Sequence, residues 1–323
     1  MYRKNLMSRI FYFCHDNPAP SGGILTLYNH VEIIKDAGFD AMIVHFNEGF
    51  KLNWFNSSAP VTYVRKIKIY PDDWVVIPED YITVFDILST IPCNKVLFCQ
   101  GHYNIFNYLP EQKRYEDYGV SDFLVSSKEV QRFIEDVFKV PTTLIPYAVD
   151  KQIFKPSDEK RKLLLAYMPR RGAWNINQIK GILYHRAPEL RDIQWVPIDN
   201  LSLEEVASVL QNCFVFLSTG YREGFGLPPV EGMACGCIIV GFPAGGGREY
   251  AKKENGFWVT DEDPLLLADV LENVLKLIKH DPNNRLITSK RESGYQTANY
   301  YSIGRQKDIL INYWQQKFFN FIE

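Results

Sequence analysis

Residues 10–46 read IFYFCHDNPAPSGGILTLYNHVEIIKDAGFDAMIVHF and contain the pattern that decides the fold. The apolar run 10–14 is followed by a glycine-bearing loop, residues 15–23, as at the end of a buried parallel strand. Apolar residues then recur at helical spacing until Gly38, which is placed to cap the helix, and residues 41–46 form a second apolar run. A strand, helix and strand joined in this way form a βαβ unit, whose crossover requires parallel strands, so we predict an α/β fold.

The same alternation continues along the chain and predicts two domains. Region 47–80 is rich in Trp, Tyr and Pro and predicts only short strands, and 146–156 has the composition of a linker. At 323 residues, the chain is about twice the usual length of a domain. We therefore expect two doubly wound domains joined near residue 150. Strands are predicted at 61–64, 74–77, 95–99, 122–126, 142–145, 163–167, 193–196, 213–218, 237–241 and 257–260, and helices at 129–138, 203–211, 264–278 and 303–321.

Composition excludes several classes of protein. The 36 Lys and Arg against 38 Asp and Glu give a net charge of −2, without the basic field that nucleic-acid binding requires, so no nucleic-acid partner is expected. No apolar run approaches the roughly 20 residues of a membrane span, and no apolar signal-peptide segment follows Met1. The six cysteines form no C-x-x-C pair, which predicts buried free thiols. We expect a cytoplasmic protein.

Two loops are candidates for a ligand site, because ligands of open α/β sheets bind at the carboxyl ends of the strands. Ser21-Gly22-Gly23 precedes the first helix, where free N–H groups favour anions, although an ordinary turn explains it equally well. In residues 221–236, Glu223 precedes a helix and Glu231 lies inside it, around a glycine-bearing turn. The two carboxylates could grip hydroxyl groups; alternatively, Glu223 only favours the helix N-terminus and Glu231 is solvated.

The string EGFGLPPVEGMACG, residues 223–236, resembles glycosyltransferase family 4, the retaining enzymes of glycosyl transferases group 1. Glu223 and Glu231 match the Glu-x7-Glu signature of retaining glycosyltransferases. Further matches lie at 21–23, 125–128 and 145–150, and at Glu249 with Asn255-Gly256-Phe257. The resemblance therefore spans most of the chain.

The resemblance implies a GT-B fold, in which two Rossmann-like doubly wound domains face each other across a cleft. Residues 1–150 would form the acceptor-binding domain and residues 151–300 the nucleotide-sugar-binding domain. Residues 301–323 would form a helix that crosses back to the N-terminal domain.

The resemblance also implies roles for individual residues. Glu223 would bind hydroxyl groups of the donor sugar, and Glu231 would hold the ribose. Arg170 and Arg171 would clamp the diphosphate, a task that suits guanidinium groups. Here the sequence departs from the family, because Met168-Pro169-Arg170-Arg171-Gly172 replaces its Gly-Arg opening and no Lys follows until Lys180. The two arginines could also be ordinary surface charge. Backbone groups of the donor site are expected at Gly22, Gly23, Gly224, Phe225, Gly226 and Leu227.

His102 follows the predicted strand 95–99, where related enzymes often have a histidine that faces the transferred sugar. A single histidine in a loop is more often structural, and we assign it no proton transfer. The basic run Arg65-Lys66-Ile67-Lys68 is either a solvated strand edge or a weak peripheral contact with anionic lipid at the inner face of the membrane.

The resemblance, taken with these residues, implies a metal-independent, retaining hexosyltransferase. It would move a sugar from a nucleoside diphosphate donor, with UDP- or GDP-sugars favoured, to a hydroxyl of a glycan or lipid-linked acceptor, in the synthesis of a polysaccharide, glycan or glycolipid. The alternatives are a catalytically silent glycosyltransferase-like subunit and a sugar-nucleotide epimerase or phosphorylase of the same architecture. A nicotinamide-dependent dehydrogenase is disfavoured, because no G-x-G-x-x-G follows the first strand.

Overall fold

The computed structural model describes residues 8–157, 161–260 and 262–319. The chain divides into two units, and the divisions fall between Tyr147 and Ala148 and between Ile303 and Gly304. The C-terminal residues after Ile303 therefore belong to the same unit as the N-terminal half of the chain.

Unit 1 contains a parallel sheet of seven strands in the order β3-β2-β1-β4-β5-β6-β7. Its central strands β1 and β4 are entirely buried, as expected for a sheet whose two faces are covered by helices. The order reverses direction between β1 and β4, which is the position where doubly wound sheets bind ligands. The elements are β1 Ile10–Phe13, α1 Gly22–Asp36, β2 Ala41–His45, β3 Val61–Tyr63, β4 Trp74–Pro78, α2 Ile82–Leu88, β5 Asn94–Cys99, α3 Ile105–Tyr108, β6 Val120–Val125, α4 Lys128–Phe138 and β7 Thr143–Leu144.

Unit 2 contains a parallel sheet of five strands in the order β12-β11-β10-β8-β9. Here the order reverses between β8 and β10, so a ligand is expected beside the loops that follow these two strands. The elements are β8 Lys162–Tyr167, α5 Ala173–Arg186, β9 Gln194–Pro197, α6 Leu203–Asn212, β10 Cys213–Ser218, α7 Leu227–Cys235, β11 Ile238–Gly241, β12 Phe257–Trp258, α8 Pro264–His280 and α9 Arg285–Tyr300.

The last helix, α10 (Ile303–Phe319), packs against unit 1 through an aromatic side chain. Trp314 is fully buried, and its ring meets those of Tyr12 and Trp74 at 6.4 and 5.8 Å between centroids. Lys317 also forms an ion pair with Asp122. Burial of one Trp side chain stabilises a protein by about 3 kcal/mol or more, so these contacts fix α10 on unit 1. The end of the predicted terminal helix, residues 320–323, lies outside the described residues.

Most predicted strands are confirmed to within a residue or two, but parts of the sequence interpretation were incomplete or wrong. The pattern analysis did not identify α2, α5 or α9. Residues 64–66 form a short 3-10 turn and not a strand edge, and Lys66 in this turn pairs with Glu48 at 2.5 Å.

All six cysteines are free thiols, of which Cys93 is half-buried and the other five are buried. Within the described ranges, no helix combines the length and apolar character that crossing a bilayer requires.

Candidate functional site

The strand order of unit 2 brings the loops after β8 and β10 side by side. A short 3-10 turn, Pro169–Arg171, follows β8 and leads into α5. Gly172 at the end of this turn lies directly against Thr219, the first residue after β10, since a Cβ atom at Gly172 would overlap the Thr219 side chain and carbonyl oxygen. Arg170 is exposed on this turn, and the side chain of Arg171 lies outside the described part of the structure. The predicted arginine turn and the predicted acidic loop therefore share one edge of the sheet.

The loop after β10 is interlocked with the loop after β11. The N–H of Glu223 donates to the carbonyl of Ala244 at 2.8 Å, and the N–H of Gly246 donates back to the carbonyl of Glu223 at 2.9 Å. Gly246 lies so close to the carbonyl oxygen of Gly224 that any Cβ atom there would overlap it. The backbone of residues 223–226 is thus fixed by a neighbouring loop rather than left to solvent.

Tyr250 also contacts the loop after β10. Its hydroxyl donates to the carbonyl of Gly226 at 2.7 Å, and its ring meets that of the buried Phe225 at 5.2 Å. Gly226 has φ +82°, a left-handed conformation in which glycine is favoured, and it turns the chain into α7. Tyr250 is in turn held by Asn255, whose amide nitrogen donates to the carbonyl of Tyr250 at 2.7 Å.

Helix α7 has few backbone N–H donors in its first turn. Its first residue, Leu227, retains its N–H, whereas Pro228 and Pro229 have none. The two prolines remove donors that would otherwise extend the series into the helix. The chain enters α7 through residues 224–227, at the end of a helix that favours an anion or a sugar oxygen.

Glu231 lies on α7 and is buried, so the alternative of a solvated carboxylate is wrong for this residue. Burial raises the pKa of its carboxyl group to about 7. Burial also raises the pKa of Tyr250, and the charges of Glu223, Glu249 and Glu231 raise it further. Glu223 and Tyr250 both lie beside Gly226, where an added Cβ atom would lie 3.6 Å from the Glu223 Cβ and 3.1 Å from the Tyr250 hydroxyl.

The remaining predicted residues have different surroundings. Lys180 donates to the Tyr167 hydroxyl at 2.9 Å and lies over the Trp195 ring, so its ammonium group is already engaged inside unit 2. In unit 1, Gly22 and Gly23 are the first residues of α1, and the Gln100 amide donates to the carbonyl of Gly23 at 3.3 Å. His102 is buried, and its ring lies 4.0 Å from that of Tyr103 and 4.6 Å from that of Phe133.

Burial lowers the pKa of His102, which keeps the ring neutral near pH 7. Its Nδ1 is buried without a hydrogen-bond partner among the described residues. The role of His102 toward a sugar therefore stays a prediction.

Glu79 is a residue that the sequence reasoning missed. It follows β4, and its carboxylate accepts hydrogen bonds from the N–H groups of Gln100 at 3.0 Å and Gly101 at 2.6 Å, which ties together the loops after β4 and β5. Burial, with the nearby Asp80 charge as a further cause, raises the pKa of Glu79 to about 8. The carboxyl end of β4 was the available signal, but β4 lies in the irregular region 47–80.

Part of unit 2 is similar to a known family. Residues 194–292, which include Glu223 and Glu231, match the family model of glycosyl transferases group 1. An α-1,6-glucosyltransferase of Actinobacillus pleuropneumoniae is 26% identical over 239 residues, which cover 72% of this chain and 72% of that protein.

Within the described residues, no three His, Cys, Asp or Glu side chains are grouped so that they could hold a metal ion.

Solved structures share the fold at low sequence identity. Sucrose-phosphate synthase from Thermosynechococcus elongatus has a TM-score of 0.72 at 14% identity, covering 96% of this chain and 99% of that one. HepE of Anabaena in complex with UDP and glucose has a TM-score of 0.72 at 16% identity, covering 95% and 99%. The predicted fold class, GT-B with two parallel-sheet α/β domains, is confirmed.

A first prediction concerns the interlock of the two loops. Gly246→Ala should lower the free energy of unfolding by about 1–3 kcal/mol, because its methyl group has no space beside the Gly224 carbonyl. Gly181→Ala is the matched control in the same unit: it lies in α5 with nothing within 4 Å, so the alanine should stabilise by about 0.5–1 kcal/mol. Denaturation in guanidinium chloride measures both. Equal effects of the two substitutions would contradict the interlock.

A second prediction uses the pKa of Glu231. An unfolded Glu ionises near pH 4.5, whereas the folded carboxyl group ionises near pH 7, so charging it costs stability as the pH rises through this window. Glu231→Gln should therefore be more stable than the native protein at pH 8, by up to about 3 kcal/mol, and the difference should vanish near pH 4.5. Thermal unfolding at both pH values is the measurement, with Glu292→Gln, exposed on α9, as the control. A gap that stays constant with pH would count against it.

Proposed function

We propose that this chain is a retaining glycosyltransferase that transfers a hexose from a nucleoside diphosphate sugar to a hydroxyl of an acceptor. The observation that carries the proposal is that Glu223, the turn 224–226 and the buried Glu231 of α7 follow β10 at the switch point of unit 2. The match of this segment to glycosyl transferases group 1, and the UDP complex of HepE, support it.

The donor would bind to unit 2 in two parts. Glu231, as a buried carboxylate, would accept hydrogen bonds from the ribose hydroxyls, and Glu223 would accept them from the hexose. A buried carboxylate with a pKa near 7 gains from such donors, because hydrogen bonds to its charged form offset the cost of burial. The specificity for UDP is proposed by analogy with HepE, which is solved with UDP and with UDP-glucose.

The chemistry is the cleavage of the bond between the anomeric carbon and the diphosphate oxygen. The electron pair of this bond goes to the diphosphate, the sugar becomes oxocarbenium-like, and the acceptor oxygen then bonds to the anomeric carbon. Negative charge grows on the leaving diphosphate, so Arg170, Arg171 and the N–H groups of residues 224–227 would lower the barrier in the manner of an oxyanion hole. In a front-face reaction, the leaving phosphate takes the acceptor proton, and no separate base is needed.

Further details belong to the same proposal. The guanidinium groups would replace a metal ion as the counter-charge of the diphosphate, so we propose a metal-independent reaction. Unit 1 would bind the acceptor, a glycan or a lipid-linked sugar of polysaccharide or glycolipid synthesis. Six free thiols fit a reducing compartment, and we propose the cytoplasm, with acceptors at the inner face of the membrane when they are lipid-linked.

The proposal predicts selective nucleotide binding that does not need a divalent metal. In a thermal-shift screen with UDP, GDP, ADP and TDP and their glucose conjugates in EDTA, one nucleotide should stabilise the protein by about 2.7 kcal/mol at 100 times its dissociation constant. Arg170→Ala and Glu231→Gln should weaken this binding by at least about tenfold, since each loses a charge-assisted hydrogen bond. Arg191→Ala, an exposed arginine elsewhere in unit 2, should leave it unchanged.

The stereochemistry is tested in the same preparation. With an α-linked donor, retention predicts an α-linked product, which nuclear magnetic resonance identifies from the anomeric coupling. A β-linked product would refute retention while leaving glycosyl transfer intact. Absence of any nucleotide-dependent stabilisation would refute the donor site itself and favour a silent binding subunit.

A further inference from the structure

The switch point of unit 1 carries a hydrogen-bonded His–Asp pair that the proposed donor chemistry does not use. His15 lies two residues after β1 and Asp80 two residues after β4, and these two strands are the neighbours between which the sheet order reverses. The Nε2 atom of His15 lies 2.8 Å from Oδ1 of Asp80. The two side chains are 35% and 38% exposed, so a ligand can reach them.

The His15 ring is held in one orientation. The ring of Tyr81 stacks on it with 3.9 Å between centroids and 22° between planes. Because the Asp80 carboxylate can only accept, the Nε2 of His15 carries the proton in this pair. In the neutral ring, Nδ1 is then a lone-pair acceptor, and no partner occupies it among the described residues.

A second carboxylate already anchors each of the two loops that carry the pair. The carboxylate of Asp16 already ties the loop after β1 to the end of β2, through the ring Nδ1 of His45 at 2.9 Å and the N–H of Asn47 at 2.7 Å. Glu79 ties the loop after β4 to the loop after β5. A partly exposed pair of this kind adds less than about 1 kcal/mol to stability, so its contribution to the fold is small beside the hydrogen bonds of Asp16 and Glu79.

The local charge selects the kind of ligand. The nearby carboxylates of Asp16 and Asp80 both raise the pKa of the Tyr81 hydroxyl, to which burial contributes most. This negative surrounding disfavours a phosphate or another anion beside His15. A neutral hydroxyl group, which donates to the open Nδ1 atom, fits both the charge and the geometry.

We infer that His15, oriented by Asp80 and Tyr81, accepts a hydrogen bond from a hydroxyl group of the acceptor sugar other than the attacking one, and so orients the sugar for attack. The inference rests on the proposed function, because it assigns the acceptor side of that reaction to the switch point of unit 1. The proton of the attacking hydroxyl still passes to the leaving phosphate, so His15 binds and orients the acceptor without taking that proton. The ligand class is a neutral glycoside with at least two free hydroxyl groups.

The test compares His15→Ala and Asp80→Ala with His15→Asn, whose amide oxygen keeps an acceptor near the position of Nδ1. His280→Ala, an exposed histidine of α8, is the matched control. Two quantities are measured. One is the ratio of transfer to donor hydrolysis, with UDP-glucose and the methyl α-glycosides of glucose, galactose and N-acetylglucosamine. The other is binding of these glycosides without donor, by saturation-transfer nuclear magnetic resonance.

His15→Ala should lower the transfer-to-hydrolysis ratio and glycoside binding by about five- to tenfold, the value of one hydrogen bond, with unchanged affinity for UDP. His15→Asn should recover part of both, and His280→Ala should match the native protein. Equal glycoside binding by the native protein and His15→Ala, or no binding of any of the three glycosides, would overturn the inference. If the native protein does not bind UDP, the donor proposal is refuted instead. Glycoside binding would still decide the role of His15.

Discussion

The close approach of two backbone segments in unit 2 is the constraint on which the candidate donor site depends. Gly246 lies against the carbonyl of Gly224, and paired hydrogen bonds join Glu223 to the loop after β11. This contact, with the Tyr250 hydroxyl on Gly226, fixes the N–H groups before they meet a ligand. Donors fixed in advance stabilise developing charge without reorganisation at the moment of reaction, so the rigidity of the loop is itself part of the proposed catalysis.

Both units place carboxyl groups where burial raises their pKa values. Glu79 is satisfied by two backbone N–H groups and organises the loops around the switch point of unit 1. Burial raises the pKa of Glu231 to about 7, so ionising this carboxyl group costs free energy when no ligand is bound. A buried carboxylate that costs stability is typical of a binding site, because a ligand with hydroxyl donors can recover that cost. Glu79 already has hydrogen-bond donors within the protein, whereas in our proposal the donors to Glu231 come from the ligand.

The sequence predicted the local elements better than their neighbours in space. Periodicity identified β1, α1 and β2, and the Glu223–Glu231 spacing identified the candidate donor loop, because these signals are local. No local sequence pattern indicates that β1 pairs with β4. The proximity of His15 and Asp80 could therefore not be predicted from the sequence. Tyr250 was missed for the same reason, since its hydroxyl reaches a carbonyl 24 residues away. The arginine turn was found, but its contact with Thr219 needed the strand order.

The central claim is that the end of unit 2 marked by Glu231 and residues 224–227 binds the nucleoside diphosphate. A crystal structure of the protein with UDP tests it most directly. The account predicts ribose hydroxyls within hydrogen-bond distance of the Glu231 carboxylate and phosphate oxygens on the N–H groups of residues 224–227. UDP bound away from α7 would contradict the account. So would UDP bound at α7 with its ribose in solvent and no hydrogen bond to Glu231.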